Sequence, residues 1–326
     1  MPNVSIIVPA FNVAKTLSAT LDALCAQTYS DFEIIVVNDG STDTTAAVLR
    51  DYANCHQIKV ITQRNRGLAG ARNTGIAAAC GEFIGFCDAD DLWLPKKLAA
   101  HVAHLQSAPH IGVSYSGSLL IDDDGASLGI SQSPRLKNIT AAHIFKRNPI
   151  GNGSAPVIRR AVFDAIAHRP AFEQSRDWYF DETFRQSEDI ECWLRIALTT
   201  GWQFEGIDEL LTQYRISAGA LSSATDLQLV AWERMVAKLT LIAPAFFAKN
   251  TKVARAYQLR YLARRAISDK DTARAADMIA QSIAASWVPF WEEPRKSLST
   301  VAAALVLRTA GPLALDVLMA QRGARA

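Results

Sequence analysis

The chain of 326 residues has no CxxC pair and only five cysteines, at 25, 55, 80, 87 and 192. An odd count without paired spacing is not a disulfide framework; it fits reduced, mostly buried thiols in a cytosolic protein. No basic leader with an apolar core precedes the first apolar segment, so no export signal is expected. Net charge is only +2, which argues against nucleic acid as the main partner. Wholesale disorder is excluded too, because 49% of residues are apolar and 20% charged, the balance of a folded globular protein.

The small total charge hides a division. Residues 1–226 hold 19 Lys and Arg against 25 Asp and Glu, whereas residues 227–326 hold 15 against 7. An acidic front and a basic tail suit a metal-dependent enzyme whose back end meets an anionic surface.

The acids of the front concentrate in Phe86-Cys87-Asp88-Ala89-Asp90-Asp91, at the end of the apolar segment 82–86. Three carboxylates in four positions repel one another unless something compensates them. A hard divalent cation does so at least cost, and the natural partner of such a cation is a diphosphate. A solvated turn in which Asp91 caps a helix starting near Pro95 explains one acid but not three.

Segments 4–8, 32–37, 59–62 and 82–86 are apolar runs of strand length. Between them lie helical patterns at 14–27, from Thr42 or Asp43 to Tyr52, and at 71–79, the last preceded by a polar loop at 64–70. Strands buried on both faces and alternating with helices predict an α/β fold with a mostly parallel, doubly wound sheet. A helix at 95–106 and a strand at 111–115 extend it, and Asp122-Asp123-Asp124-Gly125 reads as a hairpin tip rather than a metal site. In such a sheet the loops that follow the strands share one rim, where ligands bind. Phe11 can wall a base, Asp39 can accept from a base or ribose, and Arg72 can face a diphosphate or the acids. Core packing, turn formation beside Gly40 and a helix surface explain the same three residues singly. Together on one rim they favour a nucleotide site.

Residues 5–12 (SIIVPAFN), 36–43 (VVNDGSTD), 65–75 (NRGLAGARNTG) and 86–93 (FCDADDLW) resemble, in wording, order and spacing, the family 2 glycosyltransferases of GT-A fold. The likeness extends over 3–215. It implies a Rossmann-like GT-A catalytic domain at 1–220 and leaves a helical extension at 225–326. It also implies inverting transfer of a sugar from a nucleotide-sugar donor, expected to be a UDP-sugar, with Mn²⁺ or Mg²⁺. The expected acceptor is a glycan or lipid-linked glycan. By position Asp39 matches the residue that reads the donor base, and Pro9, Phe11 and Asn12 the first nucleotide-contacting loop. Asp88 and Asp90 match the DxD acids, Asp90 as direct metal ligand and Asp88 nearer the ribose.

Inversion needs a base on the face opposite the leaving nucleotide. The stretch from Ser187 to Arg195 contains Glu188-Asp189 and fits the family's ED motif, which makes Asp189 the catalytic base and Glu188 a support or alternative base. Without the resemblance, an amphipathic helix with acids at its positive end explains the same residues. The 131–186 segment, with its loop at 148–154, is expected to shape the acceptor pocket. Trp178 and Tyr179 can stack on a sugar or be buried. Tyr214-Arg215 resembles the family's terminal strand, which presents a diphosphate-contacting group.

From Leu227 onward the pattern is helical, with a hairpin of helices at 253–267 and 272–286. Trp287, Phe290 and Trp291 follow, then eleven uncharged residues at 297–307, too few to cross a bilayer. They can lie in its interface or form a helical cap. The expectation is a cytoplasmic enzyme, with peripheral contact at the inner face of the membrane through 287–326 left open. The processive members of the family it resembles carry QxxRW and several membrane spans; this sequence shows neither, which favours addition of one sugar. A sugar-nucleotide nucleotidyltransferase would carry a glycine-rich loop where Pro9-Ala10-Phe11-Asn12 stands. A non-catalytic sugar-binding protein on this fold would not need both Asp90 and Asp189.

Overall fold

In the computed structural model the chain is described over residues 2–217 and 225–323. Residues 218–224, across the expected domain boundary, and 324–326 of the expected membrane-contacting tail lie outside the described residues. The apolar runs form β1 (Val4–Ala10), β2 (Phe32–Asn38), β3 (Ile58–Thr62) and β4 (Phe83–Phe86), all parallel, in the order β3-β2-β1-β4. Helices α1 (Leu17–Cys25), α2 (Thr45–Asp51) and α3 (Gly67–Ala78) connect them. Leu17, Leu21 and Leu24 of α1 bury their common face against Val4, Ile6, Val8 and Ile34. Each such burial contributes about 1.5–3 kcal/mol.

The sheet continues as β8-β6-β9-β5 and is mixed there rather than mostly parallel. The strands are β5 (Leu92–Trp93), β6 (Ile111–Ile121), β7 (Ser127–Gln132), β8 (Val157–Arg159) and β9 (Gln203–Arg215). β8 runs antiparallel to β4 and β6, β5 antiparallel to β9, and β7 forms a hairpin with β6 around the acidic tip. Helices α4 (Lys97–Ser107), α5 (Ala141–Lys146), α6 (Arg160–Ile166) and α7 (Glu188–Thr199) complete this part.

Helix α3 begins at Gly67, four residues before the expected Ala71. The Asp39 carboxylate accepts from the backbone N–H of Arg66 and Gly67, each at 2.8 Å. A cap delivered from another loop satisfies the first free N–H groups of the helix, and no local pattern could announce it.

The chain divides into two units, one of residues Met1–Ile144 and Asn148–Ala220, the other of Phe145–Arg147 and Leu221–Ala326. The second takes the end of α5 with its inserted tripeptide and otherwise, among the described residues, is built of helices: α8 (Thr225–Thr240), α9 (Pro244–Ser268), α10 (Thr272–Ala285), α11 (Val288–Glu292) and α12 (Pro294–Gly323). Asp271 caps α10 through the N–H of Arg274 at 3.0 Å, and Pro244 starts α9, where a missing N–H costs nothing. Alanines 266, 275, 303 and 304 pack with Ile267 and Leu307. Within this unit the Phe145 ring stacks on Trp232 at 5.5 Å.

Candidate active site

Phe11 stands exposed just past β1, whereas Pro9 is buried within the strand opposite Val37. Asn12 adopts a left-handed backbone (φ 54°), and its Oδ1 accepts from the N–H of Thr42 at 2.8 Å, tying the first loop to the second. Asp39 is buried and accepts a third bond from Gln63 Nε2 at 2.6 Å. A carboxylate has about four acceptor positions, so one remains for a base or ribose donor while the rest brace α3.

Of the three strand-end acids, Asp91 does not cap α4. It is fully buried and accepts from Ser154 Oγ at 2.5 Å and from the Arg215 N–H at 3.0 Å. Burial, then the Asp88 charge, pushes its pKa well up. Ser154 Oγ also accepts from the Asp88 N–H at 2.8 Å. The Arg215 guanidinium clamps backbone instead of facing outward for a diphosphate: Nε donates to the Asp90 carbonyl at 2.9 Å, Nη1 to those of Asp122 and Asp123. Asp90 is left over. Among the described residues no other residue donates to its carboxylate, whose pKa is pushed up to about 6 by burial and then by Asp88.

Arg72 of α3 is buried between the two acidic stretches. Nη2 donates to Asp88 Oδ1 at 3.0 Å and Nη1 to Glu188 Oε1 at 2.9 Å, and the guanidinium carbon lies 5.5 Å from the centre of the Phe180 ring. Burial opposes its charge, but Asp88 and then Glu188 outweigh that and raise its pKa. Among the described residues its Nε has no hydrogen-bond partner. Gly153 lies so close that a Cβ there would overlap Arg72 Nη2 and stand 2.9 Å from Asp88 Oδ2.

Glu188 and Asp189 open α7 behind Ser187, itself left-handed at φ 60°. Burial lifts Glu188 to about 7 against the pull of Arg72. Burial also raises Asp189, again opposed by Arg72, and Asn148 Nδ2 donates to its Oδ2 at 3.4 Å. The helix is held by buried Trp193 and Leu194 and by Arg195, which pairs with Glu191 at 2.9 Å and donates to the Tyr179 carbonyl. Trp178 and Tyr179 are core residues, with Trp178 Nε1 donating to Glu173.

The structure thus gathers Asp88, Arg72 and Glu188 into one chain of ion pairs with Asp90 and Asp189 beside its ends. Ser154, Asn148 and Arg215 in its bracing role are not visible in the sequence, because each acts through a partner more than 40 residues away. Nor is the neighbouring network in which Glu182 takes Arg66 at 2.8 Å and Arg176 at 2.6 Å. Asp88 and Asp90 fit a small divalent cation, which takes one or two carboxylates and completes its shell with phosphate and water. Among the described residues no group of three or more His, Cys, Asp and Glu could hold a metal ion by itself.

Among known proteins, the profile of glycosyl transferase family 2 matches residues 5–167. WfaP of Escherichia coli, named a UDP-Glc:alpha-D-GlcNAc-diphosphoundecaprenol beta-1,3-glucosyltransferase, is 30% identical over 223 residues, 68% of this chain and 81% of its own. An uncharacterized glycosyltransferase of Nostoc sp. is 37% identical over 146 residues, 44% of this chain and 45% of its own. The match thus spans less than half the length of the Nostoc protein, as it does for EpsJ of Bacillus subtilis. In fold, the chain is similar to the mannosyltransferase PcManGT from Pyrobaculum calidifontis, solved with GDP-Man and Mn²⁺. That likeness has a TM-score of 0.59 at 20% identity and covers 97% of this chain and 86% of that one.

Proposed function

The chain belongs to glycosyl transferase family 2 and is a glycosyltransferase of GT-A fold, and from that premise we propose that it moves one sugar, with inversion, from a UDP-sugar to a hydroxyl of a glycan or lipid-linked glycan. Uridine and a lipid-linked acceptor are supported by the name of the Escherichia coli relative, matched over 81% of its length. A cytoplasmic location belongs to the same proposal. The observation that carries the mechanism is the Arg72 guanidinium, bound to Asp88 on one side and Glu188 on the other. It supports placing the donor acids and the base around one reacting centre.

In this mechanism Phe11 and Asp39 hold the nucleotide, and Asp88 and Asp90 hold Mg²⁺ or Mn²⁺. The cation, when bound, neutralises the charge that builds on the departing diphosphate. Asp90, with no competing cation in reach of a hydrogen bond, is the stronger ligand; Asp88 shares its charge with Arg72. Asp189 takes the proton of the acceptor hydroxyl from the side opposite the leaving group. That transfer needs no strongly raised pKa, since the hydroxyl acidifies as its oxygen bonds to the oxocarbenium-like carbon. Glu188 keeps Arg72 in place and thereby sets the distance between donor and base.

The full chain incubated with labelled UDP-sugars and Mn²⁺ is expected to hydrolyse the matching donor slowly without acceptor. Asp189→Asn should keep UDP affinity and lower turnover by a factor of about 10² or more. Wild-type turnover in that variant would move the base elsewhere, and no hydrolysis or transfer with any nucleotide sugar would remove the donor assignment.

A further inference from the structure

Helix α12 packs one face inward, where Ser297, Thr300, Ala303, Ala304 and Leu307 are buried. The opposite face is apolar and open. At 100° per residue Leu298, Ala302, Leu305 and Thr309 fall within an arc of about 60°, and Leu298 and Leu305 are 61% and 58% exposed. Trp287 and Trp291 precede this stripe at 58% and 82% exposed, and Leu313 follows it at 82%. Large apolar side chains left open along one short segment mark an interaction surface.

The charges beside the stripe identify the occupant. Exposed Arg295 and Arg308 lie on its two flanks, and among the described residues neither has an ion-pair partner. The two acids that immediately precede α12 are already taken. Glu292 accepts from Lys146 and Tyr257, and Glu293 pairs with Arg147, Arg260 and Lys296. What remains is an apolar strip edged by free cations, with indole rings at one end, in a segment carrying 15 Lys and Arg against 7 Asp and Glu. Indoles and snorkelling arginines suit the headgroup boundary of a membrane, and excess positive charge favours anionic lipid while repelling a second copy of the same face.

We propose that the outward face of α11 and α12 docks on an anionic lipid bilayer and lies in its interface without crossing it. Residues 294–314 are long and apolar enough to span by length and composition alone. The backbone breaks at Gly311 (φ 82°), before Pro312. The unbroken 294–310 stretch reaches about 26 Å, short of a hydrocarbon core of about 30 Å, and would hold Arg295 and Arg308 at its ends. Its inner face is also already committed to neighbouring helices.

The test is co-sedimentation of the full chain with phosphatidylcholine vesicles, alone or with about 30% phosphatidylglycerol. Wild type should pellet with the anionic vesicles. The bound fraction should fall about tenfold or more in a Trp291→Ser, Leu298→Ser, Leu305→Ser variant and in part for Arg295→Gln, Arg308→Gln. Because these residues are exposed, thermal melting and donor hydrolysis in solution should not change. Wild type left in the supernatant, or apolar variants that pellet as wild type does, would overturn the proposal. So would a concentration-dependent dimer that the same substitutions abolish.

Discussion

Asp90 and Asp91 are adjacent in sequence and opposite in circumstance. Asp91 is enclosed by Ser154 and the Arg215 backbone, whereas Asp90 is held near 6 by burial and the Asp88 charge. Asp90→Ala is therefore expected to abolish the Mn²⁺-dependent part of UDP binding, read by calorimetry with and without the ion; equal affinity would take Asp90 out of the site. At Asp189 burial raises the pKa and Arg72 opposes the rise. A base works only when ionised, so turnover is lost as pH falls through that raised pKa and kept above it. The acid limb of log kcat should accordingly bend above the ordinary aspartate value of 3.8, and a bend at or below it would point to another base. The sequence marks Asp88 and Asp90 as carboxylates crowded at the end of an apolar run, and Asp189 through its likeness to the family's ED motif. It cannot mark Ser154, a lone hydroxyl in a loop, whose oxygen joins Asp88 to Asp91 across more than 60 residues.

Among the elements, the loop between α5 and β8 leaves no room for a side chain at Gly153. Gly153→Ala would press a methyl group against the Arg72–Asp88 pair and should lower turnover about tenfold or more, since small misplacements of reacting groups are costly. Gly201→Ala, where a Cβ meets nothing within 4 Å, is the control and should leave turnover unchanged; equal loss in both would make the effect one of general stability. Elements legible in the sequence were those with strong local pattern: β1, β2 and β4 as mostly apolar runs, α1 through its leucines, the β6–β7 hairpin through its Asp-Gly turn. The less legible ones take their character from partners. β9 carries Glu205, Asp208 and Glu209 through its middle yet pairs along β6, β5 is two residues long, and the start of α3 depends on Asp39.

Over the whole molecule, the uneven charge of the sequence corresponds to two kinds of construction. The acidic front carries the sheet and both acid pairs; the basic tail is helices joined by small residues. Their division is not a single cut in the sequence, because Phe145, Lys146 and Arg147 sit inside the front in sequence but belong to the helical unit. Phe145 lies flat against Trp232, Lys146 holds Glu292 and Arg147 holds Glu293. Recombination between related genes that exchanged everything past residue 220 would therefore orphan an aromatic ring and two cations left behind in the recipient. Keeping these three contacts in an exchanged tail requires the codons of residues 145–147 to travel with those of 232, 292 and 293.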